Sequence, residues 1–165
     1  QSSTIFIVPT VLTLIDCLTL FLPTFTFNFL LLQTLPNSST NILIYRTPSN
    51  FITDSIFRVS DVIKIRDEVG SLYLPVEDGD RFITEAAYTP YLYQSKLDGK
   101  PAYEAKGTWE VEGQYMAGPY ITYFIKEEKT NTFLVLEGFT YAPSTEKRDL
   151  QFELEAILKS VKFLE

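Results

Sequence analysis

Alternating apolar and polar residues between positions 91 and 142 constrain the fold of this chain more than any other feature. Two pairs of segments rich in tyrosine, phenylalanine, valine and isoleucine are each joined by a short polar turn. The first turn contains Asp98-Gly99, a strong signal for a tight hairpin, and the second contains Lys129-Thr130-Asn131. We therefore predict two antiparallel hairpins that form a meander within a sheet.

The segment between these hairpins, residues 112 to 120, contains Gly113, Gly118 and Pro119. Glycine and proline in a strand pattern indicate bends or bulges that interrupt pairing. We therefore expect the side chains of Tyr115, Met116 and Tyr120 to point outward.

Helical spacing predicts two helices outside the meander. The first extends from Ile52 to about Gly70, with one set of residues inside, Ile52, Ile56, Val59, Val62, Ile63 and Val69, and another outside, Asp54, Arg58, Asp61, Lys64, Arg66 and Asp67. The second carries one apolar stripe, which consists of Leu150, Leu154, Ile157, Leu158 and Val161. The predicted fold class is therefore α+β, an antiparallel meander sheet flanked by two helices.

Six polar residues in a row, Ser144 to Asp149, precede the second helix. A catalytic Ser144–Lys147 pair would need a buried, desolvated lysine, which this turn-like segment does not favour. Pro143 suits the first turn of a helix, and Ser144 or Thr145 suits the cap. We interpret the run as the junction between a strand and a helix, with structural roles for Pro143 and Ser144.

Composition excludes several kinds of function. The chain has 165 residues, enough for one compact domain, and its net charge of −7 disfavours nucleic acid as a partner. It contains no histidine, the commonest general base and zinc ligand, and Cys17 is its only cysteine. We therefore expect no catalytic residues, no metal site and no cofactor.

The first 45 residues contain a single charged side chain, Asp16. Residues 17 to 35 are long and uncharged enough for a membrane-spanning helix, but Pro23 interrupts them and residues 24 to 29 alternate with a period of two. Alternation favours paired, half-buried strands, with a hydrophobic arm on a partner as a further alternative. We treat residues 1–40 as a strand-forming segment packed on the domain or on a partner, and residues 41–165 as the α+β domain.

Several motifs between residues 41 and 163 resemble a known family. The most specific are Gly107-x-Trp109, Met116-x-Gly118-Pro119 and the strand end from Glu137 to Pro143. In this order they resemble the C-terminal half of an uncharacterised family of Bacteroidota envelope lipoproteins, catalogued as domain of unknown function 4837. The order of elements is also similar to PsbP-like α/β/α sandwiches, an analogy at the level of fold alone.

The resemblance implies a setting but no activity. It implies a lipoprotein of the cell envelope, attached to the outer membrane by a lipid anchor upstream of this chain. Its partners would be envelope proteins, an outer-membrane barrel complex among them.

Two functions remain open at the level of sequence. The first is a non-catalytic, protein-binding accessory domain whose partner-binding residues are Trp109, Tyr115, Met116 and Tyr120. The alternative is a carbohydrate- or small-ligand-binding or hydrolytic domain that uses Glu137 and nearby tyrosines. We favour a structural role for Glu137, Gly118 and Pro119, with Glu137 hydrogen-bonded to a neighbour such as a backbone group of the 113–118 bend.

Overall fold

A computed structural model gives the structure of the chain. It describes the residues in the ranges 5–6, 16–22, 25–35, 38–47, 56–73, 80–85, 87–143 and 146–163.

The described residues form an α+β fold, as predicted. The strands are β1 (Ile5–Phe6), β2 (Asp16–Leu22), β3 (Phe25–Leu35), β4 (Ser38–Arg46), β5 (Arg81–Ile83), β6 (Tyr91–Leu97), β7 (Lys100–Glu112), β8 (Met116–Glu127), β9 (Thr132–Tyr141) and β10 (Lys162–Phe163). The helices are α1 (Val59–Tyr73) and α2 (Arg148–Lys159).

Eight of the described strands form one antiparallel sheet, in which six lie in the order β2-β3-β4-β9-β8-β7 and the remaining two, β5 and β6, both pair with β7. The outer edge of β7 is shared, because β6 pairs with its first half and β5 with its last residues. Strands β6 to β9 are the predicted meander. Asp98 and Gly99 have φ angles of 48° and 79°, the left-handed conformations that a two-residue hairpin turn requires.

The described strands β2, β3 and β4 of the charge-poor N-terminal segment belong to the same sheet, whereas β1 pairs with β10 in a separate two-stranded sheet. β2 and β3 pair with each other, and β3 pairs with β4, which confirms the prediction of paired strands for residues 17 to 35. A period of two places successive side chains on opposite faces of a strand, so this pattern suits a sheet. In the part of the chain that the structure describes, no helix combines the length and the hydropathy needed to cross a bilayer.

The predicted interruption between the two hairpins is confirmed at Gly113 but is wrong at Gly118 and Pro119. β7 and β8 form a further hairpin, in which pairing continues from Val111 opposite Met116 through Gly118 and Pro119. The reversal occurs at Gly113, whose φ angle is 89°. Gly118 serves close packing instead, since a Cβ atom there would lie 1.8 Å from the backbone oxygen of Thr140.

Helix α1 begins later and ends later than predicted. It starts at Val59, where the Asp61 carboxylate accepts a hydrogen bond from the Arg58 backbone N–H at 2.7 Å. Ile56 precedes the helix and is exposed, so its predicted burial is wrong. Residues 52–55 lie outside the described residues. The helix continues past Gly70. A Cβ atom at this position would lie 2.4 Å from the Phe82 ring, so the missing side chain leaves room for the ring to pack against the helix.

Helix α2 carries the predicted stripe, with Leu150, Leu154 and Leu158 buried. The helix starts at Arg148, later than the predicted start near Pro143 and Ser144. The N-cap residue is Lys147, which makes no side-chain capping bond, so Pro143 precedes the helix and does not lie in its first turn. The first turn closes between backbone groups, with the Gln151 N–H donating to the Lys147 carbonyl at 3.0 Å. Ser144 and its predicted capping role lie outside the described residues.

The two helices cover opposite faces of the sheet, and each face has its own core. The α1-side cluster is rich in aromatic residues and includes Tyr45, Phe57, Trp109, Tyr120, Phe124 and Phe139. The α2-side cluster is mainly aliphatic and includes Ile42, Ile121, Leu136, Leu154, Leu158 and Val161. Alternate residues of the central strands enter the two clusters, as the pleat of a sheet requires.

Candidate functional site

A buried ion pair lies in the α1-side cluster. Glu137, in the middle of β9, accepts a hydrogen bond from Nη2 of Arg66 at 2.8 Å. The two side chains are 4% and 0% exposed, respectively. The Tyr45 hydroxyl donates to the second carboxylate oxygen at 3.3 Å. Glu137 therefore bonds to neighbours, as favoured, but these are Arg66 and Tyr45 rather than the backbone of residues 113–118.

Further contacts hold the Arg66 guanidinium. Its Nη1 donates to the Thr84 hydroxyl at 3.3 Å, and its Cζ lies 3.3 Å from the centre of the Tyr120 ring. Burial by itself lowers the pKa of Arg66, but the charge of Glu137, its hydrogen bond and the nearby tyrosines Tyr120 and Tyr45 together outweigh burial and leave the pKa raised. Burial also raises the pKa of Tyr120 to about 12. The arginine is therefore cationic, and the tyrosine is neutral at physiological pH.

The glycines and aromatic residues of the motifs that carry the resemblance lie in the same part of the core as this ion pair. Gly107 leaves room for Tyr120, since a Cβ atom there would lie 2.9 Å from that ring. Trp109 stacks on Phe82 with ring centres 5.8 Å apart, and a Cβ atom on Gly118 would lie 3.2 Å from the Trp109 ring nitrogen. Gly107 thus leaves room for the Tyr120 ring that contacts Arg66, and Phe82 contacts both Trp109 and Arg66.

A second charged network lies on the α2 side and is only partly covered. The ammonium of Lys106 contacts Glu155 of α2 at 3.0 Å and Glu104 of β7 at 3.1 Å. The Tyr93 hydroxyl donates to Glu104 at 2.6 Å, and the Ser95 hydroxyl does so at 3.1 Å. Strands β6 and β7 thus present a polar surface beside α2, which lies over β8 and β9.

The pKa values in this network move away from neutrality. Burial by itself raises the pKa of Glu104, but hydrogen bonds from Tyr93 and Lys106 outweigh it and lower that pKa. Burial likewise opposes the charge on Lys106, and its bonds to Glu155 and Glu104 leave the pKa raised. A hydrogen bond from Lys159 lowers the pKa of Glu155. A general acid or base works best with a pKa near the working pH, so these groups suit binding better than proton transfer.

The predicted partner-binding residues lie in different environments. Trp109 and Tyr120 are 0% and 1% exposed and belong to the α1-side cluster, so the expected outward position of Tyr120 is wrong. Met116 packs partly against the same cluster. Tyr115, in the β7–β8 turn, is fully exposed. Partner binding by this set stays a prediction, and Tyr115 is the member that a partner could reach most directly.

Sequence reasoning missed Arg66, which it placed on the outer face of its helix. The side chain lies four residues after Val62 and three before Val69, which are both buried, so the spacing itself indicated the inner face. Lys106, Glu104 and Tyr93 carried no comparable signal, because the register between β6 and β7 brings them together. Among the described residues, no group of three or more cysteine, aspartate or glutamate side chains could hold a metal ion.

Fold and site together define an α+β domain whose two helices are each tied to one antiparallel sheet by charged side chains. The chain belongs to the family described as Domain of unknown function (DUF4837), which it matches over residues 24–160. The match begins earlier than the predicted start near residue 41 and includes β3. No curated protein and no solved structure matches the chain significantly, so the comparison with PsbP-like sandwiches stays a prediction.

Proposed function

We propose that this chain is a non-catalytic, protein-binding domain of a cell-envelope lipoprotein, and that it acts as an accessory subunit of an outer-membrane assembly. The envelope setting rests on the resemblance of its motifs to envelope lipoproteins. The binding role rests on the charges and tyrosines described above.

The ionisable groups of both charged centres favour binding over catalysis. Arg66 and Glu137 neutralise each other in the core, and Glu137 is covered by Arg66 and Tyr45. A hydrolytic carboxylate has to reach its substrate, which this position does not favour. In the second network Glu104 and Glu155 both pair with Lys106, so neither is suited to donate a proton near neutral pH.

Two exposed tyrosines on one strand carry the proposal. Tyr91 and Tyr93 of β6 are 75% and 42% exposed. They are two residues apart on one strand, so their rings lie on the same face, beside Lys106 and Glu104. Tyrosine supplies a large contact area with few rotatable bonds, which is why it is enriched at protein interfaces.

Capture of the partner tests this proposal. The natural full-length protein is tagged, produced in its own host, cross-linked and purified from detergent-solubilised membranes, and its partners are identified by mass spectrometry. We expect an envelope protein to be enriched, and its yield to fall roughly tenfold in a Tyr91→Ser/Tyr93→Ser variant, because interface tyrosines are frequent hot spots. Incorporation of a labelled fatty acid tests the lipid anchor.

Tyr115→Ser is the comparison variant, since it removes a fully exposed tyrosine from the β7–β8 turn, the competing candidate for the binding surface. We expect it to leave the yield unchanged. Loss of the partner in Tyr115→Ser alone would move the binding surface to the β7–β8 turn. If the wild-type protein enriches no envelope protein, the proposed function is wrong.

A further inference from the structure

The outer edge of β7 carries two strands, and only one of them is long. β5 has three residues, whereas β6 has seven and pairs with β7 without a register shift. Among the strands that the structure describes, none pairs with the other side of β6. Edge strands are usually kept short, bulged, interrupted by proline or protected by charged side chains, because their backbone groups otherwise accept a further strand. β6 is neither short nor bulged and contains no proline, and its one charged residue is Lys96 near its end.

An added strand would meet a preformed surface on the α2 side of β6. The Tyr93 hydroxyl is held by Glu104, and Lys106, which lies opposite Tyr91, is held by Glu155. Since these contacts already order the side chains, a partner loses little entropy in fixing them. Apolar or aromatic side chains of an extended segment could pack beside the two tyrosine rings.

Charge restricts the identity of the partner. β6 contains no acidic residue although the whole chain has a net charge of −7, and its one charged side chain is Lys96. Lys96 is exposed and forms no ion pair with the described residues. A carboxylate on the added strand would complement this lysine, whereas a cationic segment would be repelled.

A second copy of the chain fits this edge less well. Twofold pairing of two antiparallel β6 strands about Gln94 would place Lys96 opposite Leu92, so it would supply no carboxylate. Each copy as a whole also carries a net charge of −7, so two copies repel each other at long range. The edge therefore favours a different protein.

We propose that β6 binds an extended segment of a partner protein as an added antiparallel or parallel strand, with apolar side chains beside Tyr91 and Tyr93 and a carboxylate beside Lys96. This inference rests on the proposed protein-binding function and specifies its binding mode. Backbone hydrogen bonds would supply affinity, and the alternate side chains would supply specificity.

Synthetic peptides serve as probes. The first alternates valine and threonine and carries one glutamate near its end, a second has lysine in place of the glutamate, and a third has a central proline. Binding to the full chain is measured by fluorescence anisotropy, and the site is located by amide hydrogen exchange. We expect the glutamate peptide to slow exchange in residues 91–97, and the proline peptide to bind roughly tenfold more weakly, because it cannot complete the backbone ladder.

Charge reversal completes the experiment. We expect Lys96→Glu to weaken binding of the glutamate peptide about fivefold and to strengthen binding of the lysine peptide, as a partly exposed ion pair would. Lys129→Glu is the matched control, since it makes the same change of charge at an exposed residue of the β8–β9 turn and should alter neither affinity.

In the peptide experiments, three results would overturn strand addition: no protection of residues 91–97 by any peptide, protection elsewhere, or a dimer that protects β6 without peptide. Capture of the native partner distinguishes failure of strand addition from failure of the proposed function. A partner that wild type and Lys96→Glu capture equally well contradicts strand addition and leaves the protein-binding function standing. A wild-type protein that captures no partner contradicts that function itself.

Discussion

Both faces of the sheet join a helix to a strand through charged side chains, but they do so in different surroundings. On the α1 side, Arg66 and Glu137 are sealed in an aromatic core. On the α2 side, Lys106 connects Glu104 to Glu155, and the lysine side chain remains 35% exposed. Charges that water cannot reach depend entirely on each other, whereas charges at a boundary can be rehydrated. Removing one partner of the charged contact should therefore destabilise the fold strongly on the α1 side and only moderately on the α2 side.

Separating the sealed pair should have the largest effect. We expect Arg66→Met to lower the free energy of unfolding by about 3–5 kcal/mol, because Glu137 is left buried without its cation. Denaturant unfolding followed by Trp109 fluorescence measures it. The double variant Arg66→Met/Glu137→Leu should recover most of the loss, since no unpaired charge remains. A double variant no more stable than the single one would contradict this account.

The contact between α2 and the sheet should be next in sensitivity. A Cβ atom on Gly138 would lie 2.6 Å from Leu154, so Gly138→Ala should push the helix outward and cost about 1–3 kcal/mol. Combining it with Leu154→Ala provides the control, because the smaller side chain leaves room for the new methyl group. If Gly138→Ala costs as much in that background as in the wild type, the clash is not the cause.

Removing the boundary cation should cost less than removing the buried one. We expect Lys106→Met to destabilise the fold by about 1–2 kcal/mol, because Glu104 keeps its bonds to Tyr93 and Ser95 and water can approach the network. Denaturant unfolding of Lys106→Met beside Arg66→Met measures the contrast directly. Equal losses in the two variants would remove the proposed difference between the faces.

Lowering the pH should reveal the contribution of Glu104 to the free energy of unfolding. Its pKa is lowered in the folded protein, since hydrogen bonds from Tyr93 and Lys106 outweigh the effect of burial, which alone would raise it. A carboxyl group with a lowered folded pKa stabilises the fold above its unfolded pKa of about 4.3, and the contribution is lost as the pH falls through the folded pKa. The difference in unfolding free energy between wild type and Glu104→Gln should therefore shrink below about pH 4.3.

The Lys106→Met background provides the control for this pH series. Without one of the hydrogen bonds that lower the pKa of Glu104, the pH-dependent part of the difference should become smaller. A difference that stays constant over the whole acid range would show that Glu104 is not stabilised in its ionised form.

A solvent-exposed pair should have the smallest effect. Arg81 and Glu112 lie 3.3 Å apart at the edge of the sheet, and their side chains are 69% and 59% exposed. We expect Glu112→Gln to change the free energy of unfolding by no more than about 0.5 kcal/mol, because water screens both groups. A loss comparable to that of Lys106→Met would mean that the contribution of these ion pairs to stability does not depend on their solvent exposure.

Local pattern was sufficient where structure depends on neighbours in sequence. The turn at Asp98-Gly99 and the stripe from Leu150 to Leu158 both follow from spacing, and the structure confirms both. The start of α2 could not be predicted, because Pro143 has the chemistry of a helix start while backbone bonding begins only at Lys147. Gly118 and Pro119 likewise have the chemistry of a bend but lie within regular pairing.

The candidate sites depended on partners that are distant in sequence. Arg66 and Glu137 are 71 residues apart, and Lys106 and Glu155 are 49 apart. The spacing of Arg66 indicates the inner face of its helix, but only the structure shows which buried carboxylate faces it. Trp109 and Tyr120 were predicted at a surface because aromatic residues suit both cores and interfaces.

The sequence by itself determined the elements of this protein: period-two segments for the strands and 3.6-residue stripes for the helices. Only the tertiary structure decided which charges are buried, which glycines lie under a ring or a helix, and which strands lie at the edges of the sheet. Periodicity is a local property of the chain, whereas burial and strand order depend on how distant segments pack, and no short stretch of sequence records that packing.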